Sequence, residues 1–213
     1  MERDGWKMAL TMVHLAVADL WAQGHPEYRE SPEFYYGAMS PDAVHVRDGS
    51  DKSHKNEVHL NNWVTAHPED VIRYWMAHAE PFDIGYGVHV LTVGQWGHPY
   101  KTRLPGIPKP DRLLNTDIYY NDTFVTDFKL HDSRPRLREI LEMVEGARTP
   151  QDHPMLEGYM FRKWRKDLLE AYRGECPRHE PVQFIDECYV NAFIEDSIPL
   201  IEETYQKLIK MRA

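Results

Sequence analysis

The chain has 213 residues, 42% of them apolar and 28% charged, which suits one folded domain that buries about 70% of its unfolded surface. Its net charge of -9, with no Lys/Arg tract, speaks against a nucleic-acid or anionic-membrane partner, because phosphate surfaces select basic proteins. Cys176 and Cys188 read as free thiols in a reducing cytoplasm. No signal peptide and no run of about 20 apolar residues is evident, so we expect a cytoplasmic protein acting on a small-molecule substrate.

Helical periodicity dominates the chain. Met8–Ala22 carries Met12, Leu15, Val17 and Leu20 on an apolar face that includes His14. His25–Glu33 is polar and proline-broken and reads as loop. Pro68, followed by Glu69 and Asp70, opens a helix that should run to about Ala79. Pro81–Trp96 is apolar nearly all round, which predicts a central buried helix. Residues 98–112 hold four prolines and read as a long loop at a pocket rim. Asn115 or Thr116 could cap a helix beginning near Asp117. Further helices are expected over Arg136–Glu145, Met155–Tyr172, Pro181–Glu195 and Pro199–Met211. Alternating β-branched runs are scarce, so the predicted class is all-α: one multi-helix domain spanning 1–213.

The chemistry concentrates between Phe34 and His59, where Asp42, His45, His54 and His59 lie within eighteen residues. Carboxylate and neutral imidazole are the ligands of zinc, iron and manganese. His14 and His89 sit in apolar helices, where an unpaired imidazole is costly to bury. Asp42 follows a proline in a turn, so its side chain can be aimed without a helical register. We expect this group to converge on a metal. His25, His67, His98 and His153 each precede a proline and suit loops and helix starts instead.

An early helical His14, then FYYGAMSPDAVH, KSH, GYGVHVLT and IYYNDTFVTDF, resembles the bacterial branch of the zinc-dependent phospholipase C family over roughly residues 8–130. That resemblance implies an all-helical fold of the phospholipase C/nuclease type and a zinc cleft; ligand chemistry alone leaves iron or manganese as alternatives. It implies His14, Asp42, His54 and His89 as metal ligands, with Asp42 and His45 as catalytic candidates. His59 falls outside the matching segments and reads as an ordinary polar residue. The chain departs from the family at Val93: the family has a bridging carboxylate four residues after the helical histidine, and valine cannot ligate.

On the predicted helix near Asp117, Tyr119, Asp122 and Thr126 share a face. Asn121, Asp122 and Asp127 could hold an imidazole by its other N–H or recruit a second metal. The plainer reading is a helix start with tyrosines packing the core. Arg47 and Lys52 are candidates to bind a phosphate oxygen. The expected activity is hydrolysis of a small phosphoester by metal-activated water. Three alternatives stand beside it: a non-hydrolytic metalloenzyme such as an iron-dependent oxygenase, lyase or cyclase, an inactive family member, and a helical protein whose histidines are structural.

Overall fold

The computed structural model describes residues 10–48, 54–63, 65–96 and 116–213. Among them are eleven α-helices and no β-strand; a single isolated bridge joins Asp152 to Glu157. The helices are α1 (Thr11–Ala22), α2 (Pro26–Arg29), α3 (Pro32–Met39), α4 (Val44–Asp48), α5 (Lys55–Val58) and α6 (Pro68–Ala77). They continue with α7 (Pro81–Val93), α8 (Thr116–Ser133), α9 (Pro135–Glu145), α10 (Gly158–Tyr172) and α11 (Glu187–Arg212). The protein is all-α, and no described helix is long and apolar enough to cross a membrane.

Proline writes many of the helix starts. Pro26, Pro32, Pro68, Pro81 and Pro135 each stand in the first turn of their helix, where the missing N–H costs nothing and the fixed φ is already helical. For this reason the polar stretch expected to be loop, His25–Glu33, contains α2 and the beginning of α3. Ser31 caps α3 by accepting from the Phe34 N–H at 3.2 Å.

As its composition predicts, α7 is buried on every side: Ile84, Tyr86, Val88, Val90 and Leu91 have no accessible surface. Helices α1, α3, α6 and α11 all pack against it. Burying one such aliphatic side chain stabilises the fold by about 1.5–3 kcal/mol. Outer helices are two-faced. In α9, Leu137, Ile140, Leu141 and Val144 are buried, at the spacing of one helical face, while Glu139 and Glu142 look outward.

The last helix differs from expectation. Two helices were predicted, broken before Pro199, whereas α11 runs unbroken through it. Pro199 and Glu195, one turn earlier, are both exposed, so water can replace the hydrogen bond that proline withholds. The buried face continues through Phe193, Ser197, Ile201, Thr204 and Leu208 without interruption. The start also lies later than Pro181, because Asp186 caps the helix by accepting from the Tyr189 N–H at 2.8 Å.

Helices α3 and α7 cross at Gly37 and Gly85. A Cβ built on Gly37 would lie 1.9 Å from the Phe82 carbonyl oxygen, and one on Gly85 would lie 1.9 Å from the Phe34 carbonyl oxygen. The obstacle is backbone in both cases, so the helices would have to separate. Gly37→Ala and Gly85→Ala should each destabilise the protein by about 3 kcal/mol or more. Gly24→Ala, whose nearest neighbour would be at 3.6 Å, should stay within about 0.5 kcal/mol of the parent. Thermal melts of the three variants measure the difference.

Candidate metal centre

Three elements deliver the site. Helix α1 carries His14, α7 carries His89, and the short 3₁₀ turn Pro41–Ala43 after α3 carries Asp42. One ligand atom from each of these residues lies within 4.8 Å of the others. The two imidazoles stack with ring centroids 3.8 Å apart and planes 21° apart.

Hydrogen bonds fix the protonation of the rings. His89 Nδ1 donates to the Ala38 carbonyl at 2.8 Å. His59 Nδ1 donates to the Lys55 carbonyl at 2.8 Å. A carbonyl can only accept, so both protons sit on Nδ1. The Thr92 hydroxyl gives its one proton to the His89 carbonyl at 2.6 Å, so its oxygen accepts from His14 Nδ1 at 3.0 Å. All three rings therefore keep Nε2 as a bare lone pair while they are neutral. Burial, the largest cause in each case, lowers His89 to about 3 and His59 to about 4, and puts His14 well below its ordinary value. His89 Nε2 and His59 Nε2 are buried without a hydrogen-bond partner. An orphaned lone pair of this kind is costly unless something electropositive meets it.

Asp42 is the negative centre of the group. Its Oδ1 lies 3.2 Å from Lys55 Nζ, 3.7 Å from His59 Nε2 and 3.9 Å from His45 Nε2. Burial pushes its carboxyl upward, but the Lys55 ammonium, followed by His89, His45 and His59, holds it well below the usual carboxylate range. Its side chain retains 17% of its accessible surface, so the group is reachable from that side.

The histidines sort differently from the expectation built on sequence. His54 is not brought to the group: its ring is 47% exposed and pairs with Asp48 at 3.0 Å. His59, read as an ordinary polar residue, is fully buried beside Asp42. Lys55, which the sequence reading passed over, is the buried cation of the site. The missed signal is helical spacing: Lys55 and His59 are four residues apart at either end of α5 and face the same way. Arg47 pairs with Asp48 at 2.7 Å. Lys52, and the loop and capping positions expected at 98–112 and Asn115, lie outside the described residues.

The acids of α8 serve backbone. Asp122 accepts from the N–H groups of Gln183, Phe184 and Ile185, at 2.7–3.2 Å. Asn121 brackets Glu180, accepting from its N–H and donating to its carbonyl. Thr126 donates to the Ile185 carbonyl at 2.6 Å. The shared face foreseen on this helix thus exists, and it ties down the segment ahead of α11. Asp127 accepts from the Val13 N–H at 3.2 Å and from the Tyr172 hydroxyl. It caps α1, whose own preceding residue, Leu10, offers no side-chain cap. Burial, partly offset by these donors, raises Asp127 to about 6.

Comparison of the chain with protein-family models, curated proteins and solved structures returns no match.

Substitution and acid probe this arrangement in turn. Asp122→Ala removes the acceptor of three backbone N–H groups and should cost about 2–5 kcal/mol of stability while leaving the Asp42 group intact; chemical denaturation and metal content measure the two effects separately. Unfolded, His59 and His89 take up protons near 6.5; folded, they wait until about 4 and 3. Below pH 6.5 the unfolded chain holds more protons, so stability falls with pH by up to about 1.4 kcal/mol per unit for each ring. Asp127 acts in the opposite sense between 3.8 and about 6, one carboxyl against the buried histidines. Chelator-treated protein should therefore lose stability between about pH 6.5 and 5 in urea titrations.

Proposed function

We propose that the protein is a metal-dependent hydrolase of small phosphoesters, with one divalent cation held by His14, Asp42 and His89. The observation that carries this reading is a set of Nδ1-anchored, neutral imidazoles around a carboxylate, two of which, His59 and His89, bury an Nε2 lone pair without a partner. Protein-wide, ligating histidines are held in this way, by an N–H bond to a carbonyl or hydroxyl on the far side of the ring. His59 Nε2, 3.7 Å from Asp42, is the donor available to complete the set. The single acid that bridges two ions in the resembled family has no counterpart here, since Val93 stands in its place at the end of α7.

Bound there, zinc would supply the Lewis acidity that makes water nucleophilic near neutral pH and offsets charge developing on a phosphate. The chain's own residues do the rest. Asp42 supplies the one negative charge that favours a cation over the neutral rings. Thr92 and Ala38 hold His14 and His89 in the ligating tautomer. His45, 3.9 Å from Asp42 and less deeply buried than His89, is the residue placed to carry a proton to or from substrate.

One feature favours a second reading on the same residues. Two histidines and one carboxylate are also the donor set of iron(II) oxygenases. Iron at one equivalent in protein purified without air would select it; zinc or manganese would select hydrolysis.

Metal analysis and melting test the proposal together. Metal at about a hundredfold over its dissociation constant should add about 2.7 kcal/mol, and chelator should remove it. For a chain of this size that is a shift of roughly 5–10 °C. His14→Ala and His89→Ala should each weaken metal binding by about a hundredfold or more, whereas His54→Ala should leave it unchanged. His45→Gln should keep the metal and lower turnover of a nitrophenyl phosphodiester by about a hundredfold or more. Protein that binds no metal and melts identically with chelator would refute the reading.

A further inference from the structure

Lys55 is the one buried lysine among the described residues, with 8% of its side chain accessible. Its ammonium lies 3.2 Å from Asp42 Oδ1 and 3.9 Å above the centroid of the Trp63 ring. The indole face attracts the charge but accepts no conventional hydrogen bond. An ammonium has three donors, and Asp42 is the only anionic partner of this one among the described residues. The same Asp42 is the carboxylate of the candidate metal group.

These facts conflict once a cation enters. A divalent ion and the Lys55 ammonium would then share the single negative charge of one carboxylate. Two positive charges would remain uncompensated in a mostly buried site. Water or a neutral ester cannot offset them; an anionic oxygen lying between ion and ammonium can. Lys55 is also well mounted for this task. Its carbonyl receives the His59 Nδ1 proton at 2.8 Å, and Trp63 forms a floor beneath the ammonium. The cation-binding ring is itself in contact with His59, at 5.2 Å between centroids.

We propose that Lys55 is the anion-binding group of the centre: with a cation held by His14, Asp42 and His89, its ammonium receives an oxygen of the substrate, so that the centre selects phosphate and similar oxyanions over neutral substrates. This rests on the metal reading above. In this reading Lys55, rather than Arg47, which pairs with Asp48, supplies the substrate contact.

Inorganic phosphate titrated calorimetrically into metal-loaded protein tests it. The parent should bind phosphate. Lys55→Met should bind it at least about tenfold more weakly, with an unchanged or higher affinity for the metal, because a neighbouring positive charge has gone. Lys55→Arg should restore most of the phosphate affinity. If Lys55→Met does not melt cooperatively, Lys55→Gln is read in its place. Metal loading with phosphate affinity unaffected by loss of the ammonium overturns this inference and leaves the metal reading standing. A chain that loads no metal overturns both.

Discussion

Helices α3 and α7 touch backbone to backbone at Gly37 and Gly85, with no room for a methyl group on either side. The candidate centre hangs on that contact. Asp42 comes three residues after the end of α3, and His89 lies one turn beyond Gly85 on α7. The His89 Nδ1 proton goes to the Ala38 carbonyl, next to Gly37 itself. That bond therefore serves both as part of the helix contact and as the restraint that turns Nε2 toward Asp42. Trp164 reinforces the end of α3 from α10, donating to the Met39 carbonyl at 2.8 Å. Parting α3 from α7 by the few tenths of an ångström a side chain demands would lengthen the Ala38 bond and move the carboxylate away from the rings together.

A site of this kind is paid for elsewhere in the fold. Three imidazoles are kept neutral in the interior, and two of them leave a ring nitrogen without a partner. Each such nitrogen opposes folding by about 1–3 kcal/mol in the absence of a ligand. The surrounding packing absorbs this: α1 and α7 are buried almost along their whole length, and Tyr86 ties α7 to α5 by donating to the Val58 carbonyl at 2.7 Å. Stability spent on unsatisfied groups beside a carboxylate is the pattern expected of a binding site that folds before its ligand arrives.

Much of the fold was legible in the sequence. The all-round apolarity of Pro81–Trp96 specifies a buried helix, and the spacing of Leu137, Ile140, Leu141 and Val144 specifies an outer one. Pro199 misled because what decides its effect is the face it occupies. On an exposed face it withholds a hydrogen bond that water replaces, and no local pattern states which face meets solvent. In the site, His14, Asp42 and His89 stood out because each is a polar group in an apolar or proline-bound setting. His54 and His59 could not be separated in that way. Both lie in one polar stretch, and only the one-turn helix beginning at Lys55 turns His59 inward and leaves His54 outside.

Buried Asp122 and Asp127 and half-buried Asp42 show why the remainder was hidden, and they offer a criterion for telling ligand from anchor. Asp122 is met by the N–H groups of residues about sixty positions away, and Asp127 by the first turn of α1 and a tyrosine. Backbone N–H groups are carried by every residue type, so neither partnership leaves a mark on composition or spacing. Both carboxylates are satisfied by fixed dipoles and ask for no ion. Asp42 is different: among the described residues its neighbours are an ammonium and imidazoles. Those groups bring mobile protons or bare lone pairs, and they leave the balance of charge dependent on what is bound. A carboxylate whose needs are met by backbone is part of the scaffold; one surrounded by lone pairs that themselves lack a partner is where a cation gains most, since a single ion answers the acid and the rings at once.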